Sequence, residues 1–221
     1  MVLRLAVGLL LPTALVIGSG LSESEIEKAI ALGKHYKNPA RLWKQEFERT
    51  NKLKMSGYWS MSGSKYLSVI TDRVVIAVAS ASAAHEMRAF TADDAKRLPG
   101  LGKIRVIVAI SAVGASNIAR IQERFASGKT HMILEVDGQQ LQPEQKIELG
   151  SDYAAGLQVW NFIQVGNAVL ASNAGAFDRG TVTYAFTYSI PDEQHATKLR
   201  FVLVGDDDKQ HTVEVAVSNL Q

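Results

Sequence analysis

The sequence predicts an α+β protein in which N-terminal helices pack on a C-terminal antiparallel β-sandwich. Three observations carry this expectation. Residues 22–38 and 73–98 show helix caps followed by helically spaced apolar positions. From Lys129 onward the chain reads as short β-forming runs separated by turn residues. Within that half, TVTYAFTYSI (181–190) alternates: Val182, Tyr184, Phe186, Tyr188 and Ile190 on one side, Thr181, Thr183, Ala185, Thr187 and Ser189 on the other. With 221 residues, 47% of them apolar, the chain can bury a substantial core.

Residues 1–20 have the order of a secretory signal: Arg4, an apolar stretch from Leu5 to Ile17, then Gly18, Ser19 and Gly20. Gly18 and Gly20 fit the small-residue positions that a signal peptidase reads, which places the cut before Leu21. The other reading is a retained membrane anchor, although Pro12 interrupts the run.

The first helix is expected after Ser22, with Glu25 placed to complete a capping box. Ile26, Ala29, Ile30 and Gly33 would form its apolar face, and Asn38-Pro39 would end it. Residues 39–54 read as a second short helix with Leu42, Trp43, Glu46 and Phe47 on one side. Seven Lys/Arg against two Glu lie between Lys34 and Lys54. Because these cations are dispersed and acids interrupt them, a solvated face with Trp43 and Phe47 docked on the core is favoured over a patch for anionic lipid, polysaccharide or nucleic acid. Residues 55–67 read as a loop or irregular strand. Their aromatics Tyr58, Trp59 and Tyr66 suit the edge of a core better than a sugar-binding surface.

Residues 73–87 are expected to be helical despite the alternation of Val74, Ile76 and Val78, because Ala and Ser dominate and Asp72 stands where a cap would stand. The stretch AHEMRAFTADDAKRL (84–98) gathers a histidine, a glutamate and two aspartates. Its local form is punctuation rather than chemistry. Thr91 and Asp94 make a second capping box, Asp93 adds to the acidic first turn, and Arg88 is placed to pair with the aspartates. A zinc-binding helix would need a second histidine at position 89, where Ala89 stands.

KIRVIVAISA (103–112) reads as a buried strand. SNIARIQERFASG fits either a helix ended by Gly128 or a loop. Asp137-Gly138 marks a hairpin whose return strand would continue through KIEL (146–149). LQVWNFIQV (157–165) reads as a strand, NAVLASNAGAFDRG as loop with a short strand. KLRFVLV and TVEVAV would close the sheet as a hairpin, bent at Gly205–Asp208, with Val213, Val215 and Val217 inward. About seven such strands suggest immunoglobulin-like architecture without its cysteine–tryptophan–cysteine signature.

The absence of cysteine excludes disulfides, thiolate metal sites and cysteine nucleophiles. A net charge of +2 does not suit a nucleic-acid-binding face. No two of His35, His85, His131, His195 and His211 are spaced as helical metal ligands, Asp206–Asp208 lack the spacing of a calcium loop, and no serine-hydrolase elbow or phosphate loop is found. No catalytic residue, metal ligand or cofactor is therefore assigned, and the binding residues are left open. An enzyme would have to assemble its site in the fold, from among His85, Glu86, His131, Asp152, His195 and His211.

The signal, the AIALGKHYK helix, the Ala-rich helix ending HEMRAFTADDA, the strand KIRVIVAISA and the hairpin MILEVDGQQLQP together resemble a group of exported bacterial α+β proteins that have no assigned activity. The expectation is a signal peptide over 1–20, a mainly helical part over 21–98 and a β-sandwich domain over 99–221. The protein would act in the periplasm or outside the cell as a non-enzymatic binding or envelope-associated module. Its partner would be a protein or glycan rather than nucleic acid, with a membrane involved only if residues 1–20 are retained. A site-assembling hydrolase or metal-dependent enzyme is the alternative.

Overall fold

The computed structural model describes residues 20–55, 62–112, 115–150, 181–190, 197–205 and 209–220. It is a mixed α+β structure with two antiparallel sheets and a layer of N-terminal helices.

Helix α1 (Glu23–Tyr36) begins at the expected capping box: the Ser22 hydroxyl accepts from the Glu25 N–H at 3.4 Å, and Glu25 Oε2 accepts from the Ser22 N–H at 2.8 Å. Lys37 closes it in the left-handed region at φ 50°. Asn38 then caps the short α2 (Pro39–Leu42), which runs through a π-helical turn, Trp43–Phe47, into α3 (Glu48–Asn51). Leu42, Trp43 and Phe47 are buried.

Helix α4 (Asp72–His85) lies against α1 at close range, and Ser80 Oγ donates to the Ile30 carbonyl at 2.8 Å. Thr71, not Asp72, occupies its N-cap position, and no side chain caps it. Its C-terminus is closed by a pair of bonds, Arg88 N–H to the Ala83 carbonyl at 2.7 Å and Met87 N–H to the Ala84 carbonyl at 3.2 Å, with Met87 left-handed at φ 56°. Helix α5 (Ala92–Lys96) carries the second expected capping box, between Thr91 and Asp94.

The first sheet has the order β1-β2-β3-β7-β6, built from β1 (Lys52–Lys54), β2 (Ser62–Ile70), β3 (Lys103–Ala112), β6 (Gln145–Gly150) and β7 (Thr181–Ser189). The second has the order β5-β4-β8-β9, from β4 (His131–Val136), β5 (Gln139–Leu141), β8 (Lys198–Val204) and β9 (Gln210–Ala216). One apolar core lies between them: Leu67, Val69, Val106, Val108, Tyr184, Phe186 and Tyr188 of the first meet Met132, Leu134, Leu199, Phe201 and Leu203 of the second. Helix α6 (Ala115–Ala126) adds Ile121 and Phe125, whose ring stacks on Tyr184 at 4.0 Å between centroids. A second core joins α1, α2 and α4 to the other face of the first sheet at Ile70, Ile107, Leu149 and Ala185.

Several expectations are corrected. KIEL does not extend the Asp137-Gly138 hairpin: β6 leaves for the first sheet and pairs with β7, Ile147 opposite Ala185. Of the two readings of 55–67, the irregular strand holds in its described part, where β2 runs from Ser62 with a register shift before Lys65. The mainly helical stretch 21–98 thus contributes two strands. Of the two readings of SNIARIQERFASG, the helix is the one found, ended near left-handed Gly128 (φ 76°) as expected. Seven of the nine described strands, β3–β9, fall within 99–221, the number expected there, but β1 and β2 from the N-terminal part join β3 in one sheet, and the strand order of the described residues is not the immunoglobulin one. LQVWNFIQV, NAVLASNAGAFDRG and Asp206–Asp208 lie outside the described residues.

Candidate functional site

At one end of the first sheet, β2 finishes, β3 starts and β7 finishes, because antiparallel pairing sets Ile70 opposite Arg105 and Lys103 opposite Ser189. The chain enters α1 and α4 at this same end. Between them is a cleft of about 250 Å³. Its apolar wall is made by Leu21, Ile104, Ile190 and Val217. Its polar wall is the β2–α4 junction, Thr71, Asp72 and Arg73, with Glu25 and Lys103 also lining it and Gly20 beside Leu21.

The junction carries unmet hydrogen-bonding capacity. Thr71 Oγ1, Asp72 Oδ1 and Arg73 Nε are buried atoms without a hydrogen-bond partner. Such atoms are rare in native proteins and each calls for an explanation; here they fall on three consecutive residues of one cleft wall. Asp72 is only 6% exposed. Its other oxygen, Oδ2, accepts from the Gly102 N–H at 2.8 Å. Burial pushes the Asp72 carboxyl up to about 6, against the opposing pull of the Gly102 bond and of the Arg105 charge. A buried, shifted carboxyl in a cleft is a recognised signature of functional sites.

The loop before β3 holds this arrangement. Gly100 (φ 72°) and Gly102 (φ 76°) are both left-handed, which lets the chain fold back over Arg105. The buried Arg105 guanidinium donates to the carbonyls of Pro99 and Gly100. A side chain at Gly100 would collide with that guanidinium. The two other cleft carboxylate or cationic groups have partners: Glu25 sits in the α1 cap, and Lys103 pairs with Glu144 at 2.7 Å.

Among the described residues, none of the candidates named from sequence lines this cleft. His85 is exposed at the end of α4, and Glu86 pairs with Arg88 at 2.7 Å. Arg88 therefore pairs with Glu86, while its charge also favours the ionised Asp94. The Glu86 and Asp94 carboxyls are held below their ordinary value, the first by Arg88 and the second by the Thr91 bonds. His131 is exposed, its Nδ1 3.3 Å from the Gly128 carbonyl. His211 is buried opposite Leu203, on the core row of β9, whereas His131 precedes the core residue Met132 and faces outward. Asp152 and His195 lie outside the described residues. Among the described residues no group of three His, Asp or Glu is placed to hold a metal, and no helix is long and apolar enough to cross a membrane.

Asp72 was legible in the sequence only as a cap. Its hydrogen-bond partner is the Gly102 N–H, thirty positions away, and no spacing rule links the two.

No family model matches the chain, and no curated protein matches it. Among solved structures it is similar to the crystal structure of a protein of unknown function from Burkholderia pseudomallei, at 10% identity, over 90% of each chain and with a TM-score of 0.37. At that score the likeness carries no argument about function.

Proposed function

We propose that the protein is an exported, non-catalytic binding module and that the cleft at the β2–α4 junction is its binding site. The observation that carries the site is the cleft itself, about 250 Å³, in which the apolar residues Leu21, Ile104, Ile190 and Val217 face the polar junction Thr71–Arg73. The reading as a binding module rather than an enzyme is supported by the separation of His85, Glu86, His131 and His211. The export reading rests on residues 1–20 alone.

Two measurements test this. Intact mass of protein from the periplasmic or culture fraction is expected to show a chain starting at Leu21. A full-length mass confined to the membrane fraction would replace export by tethering. A thermal-shift panel of sugars, organic acids, amino acids and short peptides is expected to stabilise the wild type but not Ile190→Trp, which fills the cleft. Stabilisation of neither protein by any compound, or of both equally, would remove the cleft as the binding site.

A further inference from the structure

The chain carries +2 overall, but residues 34–54 carry +5, which leaves the other 200 residues at −3. The small net charge is therefore the difference between two unlike surfaces. Residues 39–51 form one continuous helical path through α2, the π-helical turn and α3, roughly 20 Å long at 1.5 Å per residue. Leu42, Trp43, Phe47 and Asn51 fill its buried side, and Arg41, Lys44 and Arg49 are exposed on the other. The end of α1 lies beside this path: the Tyr36 hydroxyl donates to Glu46, and the Arg41 charge acts on the same phenol. That brings the exposed Lys34 and Lys37 to one end of the row. Strand β1 adds Lys54 at the other end. Alternation along β1 turns Leu53 to the inter-sheet core and Lys52 and Lys54 to the helical face, where Lys52 meets Glu48 at 3.1 Å. The two acids that interrupt the row in sequence are thus half-buried and engaged, Glu46 with Tyr36 and Glu48 with Lys52. None of the six exposed cations makes an ion pair among the described residues.

A second feature stands at the α1 end of this row. Helices α1 and α4 both begin at the cleft, which Glu25 and Asp72 line, and Gly33 meets Ala77 and Ala81. The two fourteen-residue helices therefore run side by side in one direction and finish at the same end. Met87 follows the end of α4 there. Among the described residues it is the only large apolar side chain left exposed, at 94%. Its left-handed backbone costs the fold stability while its side chain stays almost wholly in solvent. A partner for this surface must supply negative charge spread over roughly 20 Å and an apolar phase beside it. Nucleic acid or an acidic polysaccharide supplies the charge alone. A bilayer of anionic lipid supplies both.

We propose that this side of the helical layer docks on an anionic lipid bilayer, with Lys34, Lys37, Arg41, Lys44, Arg49 and Lys54 against the headgroups and Met87 entering the headgroup–acyl boundary. The docking is peripheral, and it requires neither the cleft nor residues 1–20.

Co-sedimentation of the purified protein with vesicles tests this, using phosphatidylcholine alone or with one-third phosphatidylglycerol. Binding is expected to the anionic vesicles only, and to fall about tenfold or more as salt rises from about 0.1 to about 0.5 M. Lys44→Gln/Arg49→Gln is expected to weaken it about tenfold or more, at about fivefold per cation. Arg120→Gln/Lys129→Gln removes the same charge from exposed positions on the α6 side of the first sheet and is expected to change it by less than about twofold. Met87→Gly is expected to weaken binding about threefold while raising the melting temperature, a combination that damage to the fold would not give. Retained circular dichroism melts show that the glutamine variants fold. Absence of binding to the anionic vesicles, equal binding to neutral ones, equal loss in the two double variants, or unchanged binding in Lys44→Gln/Arg49→Gln or Met87→Gly would overturn the proposal. Tighter binding at the same salt to a DNA duplex or to heparin would overturn it in favour of a soluble polyanion. Ile190→Trp, which fills the cleft, is expected to bind the vesicles as the wild type does, so the two sites stand or fall separately.

Discussion

Asp72 is unusual because its burial works against the folded state. An acid whose folded pKa lies above its unfolded value binds more protons when folded. Stability therefore falls as pH rises from about 3.8 toward about 6 and stays lower above that window. The whole effect is on the order of a few kcal/mol. Asp72→Asn keeps an oxygen for the Gly102 N–H and removes the charge. It is expected to be more stable than the wild type at pH 7, with the difference shrinking below pH 4; urea unfolding across that range checks it. Met87 offers a second single-residue test. It is 94% exposed and left-handed, a conformation that costs a side chain about 1 kcal/mol. Met87→Gly removes that strain without losing a contact. It is expected to raise stability by about 0.5–1 kcal/mol in the same assay, because Gly is the usual residue at this closing position.

At the scale of elements, the α1–α4 contact is set by small side chains. A Cβ on Gly33 would lie 2.7 Å from both the Ala81 nitrogen and the Ser80 Cβ, closer than any real contact. Gly33→Ala would gain helix propensity of about 1 kcal/mol yet force the two helices apart. Overpacking of this kind costs about 1–3 kcal/mol, so a net fall in melting temperature is expected. The sequence placed Gly33 on the apolar face and both capping boxes correctly, because caps and helical faces are local patterns. It misplaced what is not local. KIEL has strand periodicity in either sheet, and nothing in four residues says that it leaves β5 to pair with β7. TVTYAFTYSI showed its two faces. That the threonine face is also buried, with Thr183 and Thr187 at 1% and 5% exposure, follows from helices laid across it. The candidate site was illegible for the same reason. Its polar wall comes from one junction, its apolar wall from four separate segments, and only folding brings them together.

At the scale of the molecule, the first sheet is shared property: one face belongs to the core with the second sheet, the other to the core with the helices. Strand β7 shows this in a single residue step, Phe186 facing the second sheet and Ala185 the helices. Tyr188 extends the coupling, its buried hydroxyl reaching across to the Met132 carbonyl of β4 at 3.2 Å. Neither core can dissolve without stripping a face from the same sheet, so the two are expected to unfold together. Phe201, fully buried in the second sheet, lies far in the layer order from Trp43 in the helices. Phe201→Ala removes a large aromatic from the inter-sheet core and is expected to cost about 3–5 kcal/mol. Placed in a background where Trp59 and Trp160 are replaced by Phe, Trp43 is the sole tryptophan and reports the helical layer by fluorescence. Its unfolding midpoint is expected to fall with Phe201→Ala by the same amount as the far-ultraviolet circular dichroism midpoint, which follows the whole chain. A Trp43 transition that stays at its original midpoint would mean that the helical layer and the second sheet are separate cooperative units. In that case a ligand at the β2–α4 junction would stabilise only the helical side of the molecule, and its binding would leave the second sheet unprotected in hydrogen exchange.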